Sequence, residues 1–159
     1  MSATRTTETP SLNKNQWNVL VVPAIVLFVM AILQLISFNS FKNWLNDVEI
    51  GWSTLVAIVV IIAELWGAAS LLRVGMSRTL RRWGVAVAIL VSGFWFVETM
   101  RLVSGGTAGQ LPNSGYFGKY LTQTPGWLTA IEVSILLLWV VYSAELLRPR
   151  RSSSRVAQS

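Results

Sequence analysis

The stretch Trp52–Leu72, WSTLVAIVVIIAELWGAASLL, decides the fold. Glu64 is its only charged residue, and ten of its positions are leucine, isoleucine or valine. As a helix it measures roughly 30 Å, the thickness of a bilayer's hydrocarbon core. Each aliphatic residue favours insertion by about 0.3–0.6 kcal/mol, while one central carboxylate opposes it by about 2.5–3.5 kcal/mol. The sum is neutral or favourable before alanine and tryptophan are counted. The segment is predicted to cross a membrane.

Working outward, Trp17–Ile36, Trp83–Val103 and Trp127–Leu147 are apolar runs of similar length. The predicted fold class is therefore an all-α integral membrane protein with a four-helix transmembrane bundle (17–36, 52–72, 83–103, 127–147). The first run is read as an uncleaved helix, bent near its start by Pro23. The region before it is long for a signal peptide and contains Pro10, and no A-x-A-like cleavage site follows. Polar tails at 1–16 and 148–159 flank the membrane domain at 17–147 and are expected to be disordered. Composition agrees: 53% of the 159 residues are hydrophobic and 13% charged, against about 25% charged in soluble domains. The mean hydropathy is +0.54.

Basic residues orient the spans. Arg5 and Lys14, then Arg73, Arg78, Arg81 and Arg82, then Arg148, Arg150, Arg151 and Arg155 place ten on one side. Lys42, Arg101 and Lys119 are the three on the other. Positive residues stay cytoplasmic, which predicts both termini inside. Trp17, Trp52, Trp83 and Trp127 each open a span, where an amphipathic ring prefers the interface. A bacterial plasma membrane is the expected location.

Two outer segments have patterns of their own. Phe38, Phe41, Trp44, Leu45 and Val48 recur at helical spacing among Asn and Lys residues. That suits either a short amphipathic helix on the outer membrane surface or a loop tucked against the bundle. Residues 104–126 carry six glycines, Pro112, Pro125, Tyr116, Phe117 and Tyr120. Such a loop breaks helices yet has aromatics to pack, so it either caps the bundle or binds a ligand.

The absent residue types narrow the chemistry. The chain has no cysteine and no histidine. Thiol relays, iron–sulfur clusters, bis-histidine haem, ordinary zinc and copper sites and His-dependent triads are excluded. No intrinsic cofactor and no metal site are expected, and no catalytic residue can be assigned. The aromatics lie in or beside apolar runs instead of lining a basic face, which argues against a nucleic-acid partner.

Polar residues inside the spans are the candidate site: Gln34, Glu64, Glu98, Arg101 and Glu132. Intramembrane ionisable groups face the interior and are functional candidates by default. By depth, Gln34, Glu98, Arg101 and Glu132 can meet in the outer half of the bundle, with Glu64 below. Trp139 and Ser143 share the face of Glu132 and mark its inward side. The structural alternative pairs Arg101 with one carboxylate and leaves the other acids protonated and hydrogen-bonded. Glu98 and Arg101, three residues apart, fit that alternative. For Glu64 and Glu132 the structural and functional readings stand level. Gly84, Ala88 and Ser92 on the third span, and Ala63 and Gly67 on the second, are expected packing faces.

Residues 27–102 resemble the DoxX-like group (DoxX, DoxD and MauE) of small four-helix bacterial membrane proteins. The likeness runs through FVMAILQLISF, FKNWL, AELWGAASLLRVG and RTLRRWGVAVAIL. Glu64, Gly67, Leu71 and Leu72 match the family's second-helix glutamate with its small residues and leucines. Ala31 and Gln34 stand where many relatives carry glycine and lysine. The resemblance implies an accessory or scaffolding subunit of a membrane oxidoreductase or redox-maturation assembly, partnered by lipid and by other membrane or redox proteins. Two other functions fit the residues: a small proton-coupled transporter using Glu64 and Glu132, or a quinone- or lipid-handling enzyme with a headgroup beside Trp95 and Trp139.

Overall fold

Long apolar runs satisfy their backbone polar groups internally only as helices, and the chain obeys that constraint. The computed structural model describes residues 13–106, 110–111, 113–120 and 123–148. It contains five helices, α1 (Lys14–Ile36), α2 (Phe38–Asp47), α3 (Ser53–Leu71), α4 (Arg78–Ser104) and α5 (Trp127–Leu147). Among the described residues there is no strand. Four of the helices, all but α2, are long and apolar enough to cross a membrane. Most of both predicted tails, and Pro112, lie outside the described residues.

Helix ends follow local chemistry. The Asn13 amide donates to Gln16 Oε1 at 3.0 Å, opening α1 three residues ahead of the predicted Trp17. Pro23 is buried inside α1 and the helix continues through it. The largest shift is in α4, which starts at Arg78 instead of Trp83 because Ser77 Oγ accepts from the Leu80 amide at 3.3 Å. One turn carrying Arg78, Arg81 and Arg82 is thereby helical. α3 stops where Arg73 turns left-handed at φ 55°. There the Val74 amide reaches back to the Ala69 carbonyl, the cross-bond that closes a helix C-terminus.

Packing follows chain order. α1 lies on α3, α3 on α4 and α4 on α5, and a thinner α5–α1 seam closes the ring. The α3–α4 seam depends on small residues. A Cβ on Gly67 would stand 2.9 Å from the Ala88 methyl, and one on Gly84 would collide with the Ser70 side chain and lie 2.8 Å from Trp66 Nε1. Ala88 and Ser92 are buried on the same face. Away from the seams the helices stay apolar: Phe28, Leu55, Ile62, Leu90, Val97, Ile131 and Leu138 are all exposed. A soluble protein seldom leaves so continuous an apolar jacket in water, whereas lipid is as apolar as leucine.

α2 forms over the patterned segment, and its apolar face is turned toward the bundle. Phe41, Trp44 and Leu45 are buried together with Val48, which ends the helix. The protein interior, and not a lipid surface, receives those side chains.

Leucine at Gly67 should destabilise the detergent-solubilised protein by about 1–3 kcal/mol, the usual range for overpacking. Leucine at Gly93, where nothing lies within 4 Å of an added Cβ, should leave it nearly unchanged. Thermal unfolding followed by size-exclusion chromatography compares the two.

Candidate functional site

Glu64 occupies the middle of α3 and is completely buried. A carboxyl group in such surroundings is tolerable only with hydrogen-bond donors. Two neighbours supply them. Trp95 Nε1, on α4, donates to Glu64 Oε1 at 2.7 Å. Gln34 Nε2, on α1, donates to the same oxygen at 3.3 Å and to the Tyr116 carbonyl at 2.8 Å. One acid therefore ties α1, α3 and α4, and through Gln34 it reaches the segment before α5. Both donors are neutral. Among the described residues Glu64 Oε2 and Gln34 Oε1 are buried without a partner.

Aromatic rings enclose this clasp. Trp95 meets Tyr116 edge to face at 4.7 Å between centroids, Trp44 at 5.6 Å and Phe41 at 6.0 Å. Tyr116 and Thr99 share a hydroxyl–hydroxyl hydrogen bond, and Thr99 Oγ1 also donates to the Trp95 carbonyl at 2.8 Å. Burial pushes the Tyr116 phenol above the ordinary tyrosine range, and the Glu132 and Glu98 carboxyls act in the same direction.

The glycine-rich segment before α5 closes one end of the enclosure. Asn113 organises it: its carbonyl accepts Trp44 Nε1 at 2.8 Å, its Oδ1 accepts the Gly115 amide at 3.1 Å, and its Nδ2 donates to the Gly118 carbonyl. The Lys119 amide donates to Ser37 Oγ at 3.3 Å. Gly115 and Gly118 have φ of 81° and 59°, a region that favours glycine. A Cβ on Gly115 would strike the Trp44 ring, and one on Gly118 would strike Ser37 Oγ. Tyr116 is buried and Phe117 packs partly buried against the core, whereas Tyr120 is exposed; residues 113–120 cap the bundle.

The structure divides the five sequence candidates among three places. Gln34 and Glu64 are bonded to each other. Glu98 and Arg101 form their own pair, with Arg101 Nε 3.1 and 3.2 Å from the two carboxyl oxygens. Arg101 Nη2 also donates to the Val48 carbonyl at 2.5 Å, which ties α4 to the end of α2. Glu132 is exposed on the flank of α5 and accepts Gln123 Nε2 at 3.1 Å. It faces a cleft of about 320 Å³ lined by Val26, Met30, Phe117 and Leu136. Trp139 and Ser143, on the same side of α5, both donate to the Val19 carbonyl of α1, at 2.9 and 3.3 Å. That side is the α5–α1 seam, not the bundle centre. Among the described residues no three acids gather as a metal site.

No pattern in the linear sequence marks Asn113, Ser37 or Thr99, and spacing alone shows Trp44 and Tyr116 only as apolar groups. From the sequence Trp95 reads as a neighbour of polar residues; its role as a donor to Glu64 appears only in the structure. An indole N–H within a span has to find an acceptor, and that requirement was the available signal. No family model matches the chain, and no curated protein or solved structure is significantly similar to it.

Glu64→Leu should destabilise the protein by about 1–3 kcal/mol through the donors it orphans, and Glu64→Gln, which keeps an acceptor oxygen for Trp95, should cost less. Thermal melts of both variants provide the comparison; equal melts for wild type and Glu64→Leu would discard the clasp. Tyr116 adds a pH signature. Its raised pKa means full stability below the ordinary tyrosine value near 10 and a decline above it, as the unfolded phenol ionises first. Tyr116→Phe should flatten that alkaline decline in a melt series.

Proposed function

We propose that this chain is a small integral membrane subunit, an accessory or scaffolding component of a membrane oxidoreductase or redox-maturation assembly. The observation that carries the proposal is the use of Glu64, the one acid with no exposed surface among the described residues. Glu64 is enclosed and engaged in holding α1, α3 and α4 together, so it serves the fold. The chain also lacks cysteine and histidine, the side chains that most often carry electrons or hold redox metals. Electron transfer in such an assembly falls to its partners. A bound quinone or lipid is the cofactor class this reading retains.

The DoxX-like resemblance of residues 27–102 belongs to the same proposal. It rests on the sequence of the second span, where Glu64, Gly67, Leu71 and Leu72 carry the likeness. The proposal includes a bacterial plasma membrane with both termini cytoplasmic, which rests on the ten-to-three distribution of basic residues. A proton carrier working through Glu64 and Glu132 would need the two acids on one path. Glu64 is fully buried beneath the aromatic cap, whereas Glu132 is exposed beside a cleft on the other side of Tyr116, and no polar contact joins the two acids among the described residues.

Gentle solubilisation of native membranes followed by purification should bring down stoichiometric partner proteins, identified by mass spectrometry. A lone, monodisperse particle would defeat the subunit assignment. Reporter fusions at the two ends should both signal the cytoplasmic face; opposite faces would overturn the topology.

A further inference from the structure

The start of α4 and the end of α5 enclose a second cleft, of about 300 Å³, remote from the Glu64 clasp. Its lining has two chemistries. Arg81, Arg82 and Arg148 supply guanidinium groups, and Val85, Ile89 and Leu147 supply an apolar wall shared between the two helices. The positive charge is poorly offset. Arg148 Nη1 meets Glu145 at 3.1 Å, so among the described residues one acid stands against the three arginines of the lining. The chain has no other acid nearby in sequence on α4, since none occurs between Glu64 and Glu98. Arg73 and Arg78 add to the positive potential of the same connection.

Like charges brought together at a helix end repel one another unless an anion joins them. Guanidinium groups match phosphate oxygens in a bidentate fashion. A soluble phosphate would engage the arginines and leave the Val85–Ile89 wall without a partner. An anionic lipid satisfies both halves: the phosphate on the arginines, the acyl chain along the aliphatic wall. Basic pockets between transmembrane helices hold lipid headgroups by this combination. Charge distribution for topology needs arginines on one side of the membrane, but it does not need them to share a cleft with an apolar wall.

We propose that the cleft between α4 and α5 is a binding site for a phosphate-bearing anionic lipid, headgroup on Arg81, Arg82 and Arg148, chain on Val85 and Ile89. The site is independent of which proteins the chain assembles with.

Native mass spectrometry of the purified full-length chain, titrated with phosphatidylglycerol or phosphatidylcholine, tests it. Wild type should retain phosphatidylglycerol in preference to phosphatidylcholine. The double variant Arg82→Gln, Arg148→Gln should weaken phosphatidylglycerol retention on the order of tenfold or more. The tail variant Arg150→Gln, Arg151→Gln removes the same net charge and should leave retention unchanged. Ala86→Trp fills the cleft while keeping every arginine, and it too should lose the lipid. Circular dichroism confirms that each variant remains helical. Equal weakening by the tail variant would show diffuse charge attraction and overturn the site. So would undiminished retention by Ala86→Trp, or full displacement of the lipid by inorganic phosphate, which would make the site one for a soluble anion.

Discussion

A carboxyl group cut off from water must be given donors, and most of this architecture can be traced to that demand at Glu64. The donors come from different helices, Trp95 from α4 and Gln34 from α1, so satisfying one oxygen aligns three spans at one level. In a lipid-surrounded bundle there is little hydrophobic force to draw helices together. A shared acceptor therefore contributes orientation that apolar packing alone leaves loose. Gln34 extends the arrangement by donating also to the Tyr116 carbonyl, which draws the segment before α5 over the acid.

That geometry rests on a close approach further along the same helices. Trp95 can reach Glu64 because α3 and α4 touch through Gly67 against Ala88 and Gly84 against Ser70. Larger side chains there would push the helices apart and stretch the indole bond. The cap depends on glycine for a different reason. Gly115 lies flat on Trp44 and Gly118 against Ser37, both with left-handed backbone, so the chain can lie directly on α2 and the end of α1. α2 in turn presents Phe41 and Trp44 to the interior. Its amphipathic pattern reflects contact with protein.

The polar residues in the spans carry distinct duties. Glu98 and Arg101 neutralise each other within one turn, and Arg101 also braces the end of α2 through the Val48 carbonyl. Glu132 stays at the flank with Gln123, above the point where Trp139 and Ser143 bind α5 to Val19. Depth in the membrane could not separate these three settings. Residues at one depth face different neighbours once the azimuth of each helix is set. The Glu98–Arg101 pair was legible because its partners are three apart on one helix, where spacing is geometry. Gln34 and Glu64 are 30 residues apart and on different helices. Their meeting depends on packing.

The linear order of residues by itself determined the four long apolar helices, the small-residue seam and the exclusion of cysteine and histidine chemistry. Each of these follows from hydrophobic length, periodicity or composition, which are local properties. Tertiary structure alone decided that α1 and α4 present Gln34 and Trp95 to Glu64, that Asn113 pins a glycine-rich loop as a cap, and that arginines 81, 82 and 148 share one cleft. Those outcomes depend on how each helix is rotated against its neighbours. Helices that are apolar on every side carry no stripe from which that rotation could be read.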